Sequence, residues 1–428
     1  MSGAADRPAP ARLSRLRLLV VLACLYLAQA IPSYLFAAAI PPILREQGVS
    51  RTAIGMMALL MLPLVLKFLW APLVDRFRPL ARAHRAGWVI ITQIGVIAGI
   101  AAMLWIEPTD VAGIFAVGLV VSLLMSTQDI ATDGYAAKYL DPKDRPIGNA
   151  IQGGSVALGV VLGGTLGLLA YHHAGWQTMV AMVAALSVIP LFAAFAMRET
   201  DPVASGPQAA IDRPSILRFL RRPEARQILW IALIYRASEG LVKSMEGSYL
   251  VDAGVPLDVI GYLSGGAALT VGLGGSALAA WLLHKRGAAS VLGLLGALRT
   301  ICFLIFALHA FGAIAGFWPI FGASFLQTLV RYMEIVALYS LFMAVTSSDQ
   351  PGTDFTILSC AQLIVYLVGS MLAGRLADML GYAALFTLAT VLSGIAVVAT
   401  YRMLNAHFAD AAKARPEDPM QSLPEVAE

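Results

Sequence analysis

The amino-acid sequence predicts an all-helical membrane protein with twelve transmembrane helices in two six-helix bundles. Of its 428 residues, 59% are hydrophobic and only 13% are charged, and mean hydropathy is +0.76. Apolar runs of about 20 residues, the length at which a helix crosses the hydrocarbon core, recur twelve times. Gly and Ala run through these stretches without the ten-residue alternation of a membrane β-barrel, the other closed structure that leaves no backbone polar group in lipid.

The twelve runs fall at residues 17–41, 52–73, 87–105, 112–138, 147–171, 175–197, 225–250, 259–283, 287–310, 316–345, 353–374 and 380–402. Basic residues and then Ala28-Gln29-Ala30 make the first run look like a cleavable leader. It continues through Ile40 to Pro41-Pro42, longer than a leader's core, so an uncleaved first helix is expected. The fifth run holds Gly153, Gly154, Gly159, Gly163, Gly164 and Gly167, and the eighth holds Gly265, Gly266, Gly272, Gly274 and Gly275. Small residues at such spacings let helices approach closely in lipid, and they also suit surfaces that slide between two halves.

Residues 198–224 are polar, with Pro202, Pro207, Pro214 and Pro223, and divide the runs six and six. The domain reading is therefore a tail over 1–16, a bundle over 17–197, a linker over 198–224, a bundle over 225–402 and a disordered tail over 403–428. Within the linker, Pro214 to Arg226 fits either a short basic amphipathic helix or an irregular loop. Twenty-two of the 30 Lys and Arg residues lie in the two tails, the even-numbered loops and the linker, against Arg45, Arg51 and Arg375 in the odd-numbered loops. The positive-inside rule then places both termini in the cytoplasm. The same asymmetry explains the net charge of +4 without a nucleic-acid partner. Cys24, Cys302 and Cys360 lack metal-ligand spacing and read as packing residues.

Eight ionisable residues lie inside three of the runs: Asp129 and Asp133 in the fourth, Arg236, Glu239, Lys243 and Glu246 in the seventh, Arg331 and Glu334 in the tenth. Charges at membrane depth are costly unless they face a cavity or one another, so they mark a transport path. At about 100° per residue, Asp129 and Asp133 are about 40° apart, Arg331 and Glu334 about 60° apart, and the four of the seventh run share an arc of about 80°. Asp129 lies roughly 14 Å along its helix from Lys138, near the midplane where a two-bundle transporter binds substrate. Structural ion pairs such as Glu239–Lys243 and Arg331–Glu334 are the competing reading.

Five acids face three bases, so full pairing leaves two carboxylates able to exchange protons. Asp129 and Glu239 lead as proton carriers, with Asp133 and Glu334 beside them. Arg236, Lys243 and Arg331, with Glu246, are expected to meet an anionic or chelated substrate. Gln29, Tyr34, Gln128, Gln362 and Tyr366 are uncharged candidates for orienting it, with Tyr135, Gln327 and Tyr332 beside them. Lys67 reads as a snorkelling residue, and Arg299 has no partner legible in the sequence.

Ala71-Pro72-Leu73-Val74-Asp75-Arg76-Phe77-Arg78, after the second run, resembles the loop motif of the major facilitator superfamily, with Ala71 where that pattern has Gly. Asp75 is then expected to face the N-terminus of the eleventh helix near Thr353-Asp354 and to stabilise the outward-open state, with Arg76 and Asp354 as gating residues. Leu66 to Asp75, Ser126-Thr127-Gln128-Asp129-Ile130-Ala131-Thr132-Asp133-Gly134-Tyr135 and Gly352-Thr353-Asp354-Phe355-Thr356 together resemble the branch of AmpG muropeptide permeases, acetyl-CoA transporters and RhtX/FptX siderophore permeases.

Twelve spans and the Gly-Thr-Asp-Phe-Thr segment are most similar to the siderophore group. That resemblance implies a proton-coupled importer of a ferric siderophore in the bacterial inner membrane, with iron arriving inside its chelator as cargo. A muropeptide permease is the alternative, followed by another small-molecule permease. The expected chain is a monomer with membrane lipid around it, a proton as coupling ion and no cofactor or metal of its own. No His-Glu-x-x-His, Gly-x-Ser-x-Gly or P-loop supports a membrane-embedded enzyme. A sensor is the other non-transport alternative. The exposed-loop pair His172-His173 reads as a polar turn.

Overall fold

The structure, a computed structural model, describes residues 15–49, 56–80, 83–199, 214–255 and 267–413. Arg7, Arg12, Arg51, Arg82, Gly265, Gly266, the prolines at 202 and 207 and the tail beyond 413 lie outside those residues, as does the start of the eighth run. The regular secondary structure of the described residues is all helical, apart from one isolated bridge between Leu80 and Ala83.

The first run forms α1 (Arg15–Tyr34), a π-helical turn (Leu35–Ala39) and α2 (Ile40–Glu46). The second is broken into a 3-10 turn (Met57–Met61), α3 (Leu62–Leu66), a second 3-10 turn (Lys67–Leu69) and α4 (Ala71–Arg76). Then come α5 (Arg85–Ala102), α6 (Val111–Tyr139), α7 (Arg145–Gly159), a π turn (Val160–Thr165) and α8 (Leu166–Ala196). After the linker lie α9 (Ile216–Arg221), α10 (Pro223–Arg236), α11 (Glu239–Asp252), α12 (Ala267–Ala310), α13 (Phe317–Val345) and α14 (Pro351–Lys413).

Among the described residues, seven helical stretches are long and apolar enough to cross a membrane. Three of them are two helices joined at a kink, where Gly175, Gly287 and Gly381 take φ values of 81°, 73° and 79° that a side chain would resist. The segment after the linker splits instead at Ala237-Ser238 into α10 and α11. The basic stretch 214–226 resolves into α9, capped by Ser215 on the Arg218 N–H at 3.1 Å, and the start of α10. Phe219 of α9 is buried while Leu217 and Leu220 are exposed.

The molecule inverts the layout of a water-soluble protein. Trp105, Phe192, Phe195, Trp318, Met371 and Ile395 are exposed, whereas Lys67, Asp129, Asp133, Arg236, Glu239, Arg299 and Glu334 are buried. Apolar side chains turned outward suit lipid, and charges turned inward need partners. One apolar cluster gathers residues from Ile31 to Val183, another gathers residues from Leu241 to Ala389, and a third joins helices from both sides of the linker. The two π turns face each other, and a side chain at Gly163 would drive into the Ile31 carbonyl. That glycine therefore packs α1 against the fifth run, while Gly153 and Gly154 meet Ser276 and Leu273 of α12 across the two halves.

Candidate transport site

The intramembrane charges assemble into two clusters, and helix irregularities occur where they do. The 3-10 turn that opens at Lys67 interrupts the second run. Lys67, only 4% exposed, forms an ion pair with Asp129 and lies 4.0 Å from Asp133. The Tyr26 hydroxyl donates to Asp133 at 3.2 Å. Lys67 therefore does not snorkel. It turns inward because two carboxylates on one face of α6 require a counter-charge, and a one-turn spacing lets one ammonium serve both.

The second cluster runs through α10, α11, α12 and α13. Arg299 donates from Nη1 to both Glu334 oxygens at 3.0 and 3.1 Å, and its guanidinium lies 4.4 Å from the Tyr235 ring centroid. Tyr235 donates to Glu334 at 2.8 Å. Arg236 reaches Glu334 at 3.5 Å and pairs with Glu239, and Arg331 meets the far side of Glu239 at 3.1 Å. The chain Arg299–Glu334–Arg236–Glu239–Arg331 thus passes from a fully buried end to Arg331, whose side chain is 33% exposed and lies over the Tyr366 ring at 5.4 Å. Lys243 pairs with Glu246 at 2.8 Å, and Ser324 donates to the same carboxylate.

These partners correct the pairs expected from spacing. Glu239 joins Arg236 and Arg331 instead of Lys243, and Glu334 joins Arg299 and Arg236 instead of Arg331. For these two carboxylates guanidinium groups from other helices replace the expected partner, while Lys243 and Glu246 still pair along one helix. Glu239 therefore has a guanidinium on each side. Lys67 and Arg299 join the two charge clusters; the signal that finds them is the general rule that a basic residue inside an apolar run seeks an acid.

Gln128 is taken up in helix packing. It is fully buried and donates to Gln93 at 2.9 Å, and Gln93 donates to the Ser187 carbonyl at 2.6 Å, a chain that ties α6, α5 and α8 together. One residue from Asp129 means about 100° around the helix, so the two cannot share a face. Tyr135 likewise donates to the Arg198 carbonyl. Tyr34 has Arg331 and Tyr332 as electrostatic neighbours across the halves. Gln29 and Gln362 each keep a buried amide atom without a hydrogen-bond partner.

At the loop end, Asp75 accepts from the backbone N–H of Thr353 at 2.6 Å and of Gly352 at 3.3 Å, at the N-terminus of α14. Arg85 braces the same carboxylate at 3.1 Å. Arg76 is exposed instead, with its guanidinium 5.2 Å from the Phe77 ring centroid, so the basic partner of Asp75 comes from α5. A side chain at Gly352 would press on Asp75 and on the Ile130 carbonyl, each at about 3 Å, so the close approach of α6 and α14 requires glycine there. Asp354 binds Arg222 at 2.6 Å, Gln350 at 2.6 Å and the Ser347 N–H at 2.8 Å, fastening the linker to the second half.

Glu199, after α8, accepts from the N–H groups of His84, Arg85 and Ala86 at 2.6, 2.6 and 3.0 Å, an N-terminal cap for α5 supplied from a distance. His84, outside the span, has its pKa lowered by burial and then by Arg85. Among the described residues no group of three His, Cys, Asp or Glu is arranged to hold a metal ion. His172 and His173 are exposed and stacked edge to face at 5.0 Å.

Buried charges lining two halves, joined at one end by a carboxylate on a helix N-terminus, are the features of a membrane transporter. A family model described as Major Facilitator Superfamily matches residues 22–242, and the chain belongs to that superfamily. It is 28% identical over 404 residues to the anhydromuropeptide permease of Escherichia coli strain K12, covering 89% of this chain and 79% of that one. It is 20% identical over 367 residues to the putative transporter AmpG 4 of Rickettsia felis, covering 82% and 87%. Among solved structures, the proton:xylose symporter XylE aligns with a TM-score of 0.71 at 12% identity over 90% of this chain and 95% of that one. An outward-facing bacterial homologue of the iron transporter ferroportin aligns at 0.70 and 15% identity over 92% and 100%. At those identities the structures establish the fold alone.

Proposed function

We propose that this chain is a proton-coupled permease for an anionic muropeptide in the bacterial inner membrane, working by alternating access. The observation that carries the substrate class is the similarity to an anhydromuropeptide permease over 89% of the chain. It favours the muropeptide reading over the siderophore one. The Gly352-Thr353-Asp354 segment that suggested siderophores makes gate contacts with Asp75 and Arg222, so it reports on closure and carries no information about cargo.

Charge balance supports the division of labour. Asp129 and Asp133 against Lys67 leave one carboxylate uncompensated in the first cluster. Arg236, Lys243, Arg299 and Arg331 against Glu239, Glu246 and Glu334 leave one positive charge in the second. The proton belongs on the first cluster, and Arg331, the accessible end of the second, meets a substrate carboxylate with Tyr366, Tyr34 and Gln362 around it. Twelve spans in bundles over 17–197 and 225–402, both termini cytoplasmic and a monomeric working unit complete the proposal.

Proteoliposomes with an imposed pH gradient test it. Labelled anhydromuropeptide is expected to accumulate, with accumulation abolished by a protonophore. Accumulation of ferric siderophores instead, or muropeptide uptake indifferent to the gradient, overturns the substrate or the coupling respectively.

A further inference from the structure

A cleft of about 860 Å³ lies away from both charge clusters, between α1 and α7 of the first half and α12 of the second. Its walls are helix faces: Ile147, Ile151 and Leu158 recur at helical spacing on α7, and Leu273, Ala280 and Trp281 on α12. Arg15, Lys143 and His284 stand at one end, all exposed, with Asp144 among them. Asp144 accepts from Arg15 at 3.0–3.1 Å, yet the Arg15 side chain stays 61% exposed, so its remaining N–H groups face outward. Lys285 extends the basic rim, 4.5 Å from the Trp281 ring centroid.

The dimensions match one lipid leaflet. From Pro146 to Leu158 the α7 wall runs about 18 Å at 1.5 Å per residue, against roughly 15 Å for half of the hydrocarbon core. Leu158, Leu273 and Trp281 are exposed along this wall, so the cleft opens onto the lipid-facing surface. A basic rim above an apolar floor of this length suits a phosphodiester headgroup with an acyl chain, and a soluble anion leaves the floor bare.

We propose that this cleft binds an anionic phospholipid of the leaflet at the linker end, and that the bound lipid stabilises the conformation in which Asp75 caps α14. Both halves of the chain form the walls, so relative motion of α7 and α12 dismantles the site. A ligand that binds one conformation alone shifts the population toward it. The lipid is therefore a regulator of alternating access and is independent of what the central site carries.

The test uses the purified full chain in neutral detergent, with phosphatidylglycerol, phosphatidylcholine or glycerol 3-phosphate added, read by native mass spectrometry and thermal unfolding. Phosphatidylglycerol is expected to bind about tenfold more tightly than phosphatidylcholine and to raise the unfolding midpoint. Lys143→Gln with His284→Gln should remove that preference, as should Ala277→Phe, which fills the floor. Either variant alone decides the matter if the other fails to fold. Equal binding of the two lipids, an equal shift from glycerol 3-phosphate, or a preference that survives the substitutions overturns the proposal. None of these readings depends on transport, so failure here is distinct from failure of the muropeptide assignment.

Discussion

Lys67 and Arg299 change the electrostatic sum of the pathway. Five acids against three bases suggested two surplus carboxylates; with these two residues included, acids and bases are equal, and the imbalance becomes one of position. Lys67→Met strands two carboxylates in an apolar interior. It should lower stability by about 3–5 kcal/mol, as breaking a buried pair does, measured as thermal unfolding in detergent. Adding Asp129→Asn should recover most of the loss, and a purely additive double variant would disprove the pairing. Asp129→Asn alone should abolish gradient-driven accumulation while leaving substrate counterflow. Arg331→Gln, at the accessible end, should raise KM about tenfold or more, the loss of a charge-assisted contact, with the unfolding midpoint held. Arg299→Gln, fully buried, should instead lower the midpoint.

At the scale of elements, helix ends and breaks coincide with chemistry. The second run is interrupted at Lys67, and α10 gives way to α11 between Arg236 and Glu239. Broken helices are where membrane transporters place binding groups. Close packing elsewhere keeps these breaks in register. Gly163→Val forces the two π turns apart and should cost about 1–3 kcal/mol, the usual penalty of overpacking, visible as a lower unfolding midpoint. Glu199→Gln removes the charge capping α5 and should cost about 0.5–2 kcal/mol. A sequence window cannot reveal that cap, since Glu199 and His84 are 115 residues apart.

For the whole molecule, the contact of Asp75 with Gly352 and Thr353 joins the two halves at one end. Cys360 reports on that junction because its thiol donates to the Leu64 carbonyl across the two halves at 3.6 Å. Asp75→Asn weakens a charge-assisted cap, so alkylation of Cys360 by a permeant maleimide should become several-fold faster in a Cys24→Ser, Cys302→Ser background. Unchanged alkylation would mean that Asp75 does not hold the halves together. Phosphatidylglycerol should slow the same reaction in the unsubstituted gate.

The apolar runs and the intramembrane acids were legible in the sequence because membrane solvation acts on each residue through its own depth and chemistry, whereas the kinks at Gly175, Gly287 and Gly381 emerged only from the fold. The facing of Asp75 toward Thr353 was legible too, since a local motif carries it. What the sequence left open was which charge meets which. Helical spacing proposed partners along one helix, and the fold instead brought Lys67 to Asp129, Arg299 to Glu334 and Arg331 to Glu239 from other helices. Hydropathy depends on neighbours in the chain, so sequence alone determined a charged all-helical membrane protein. Coulombic pairing depends on neighbours in space, so only the tertiary structure decided where its unbalanced charges sit.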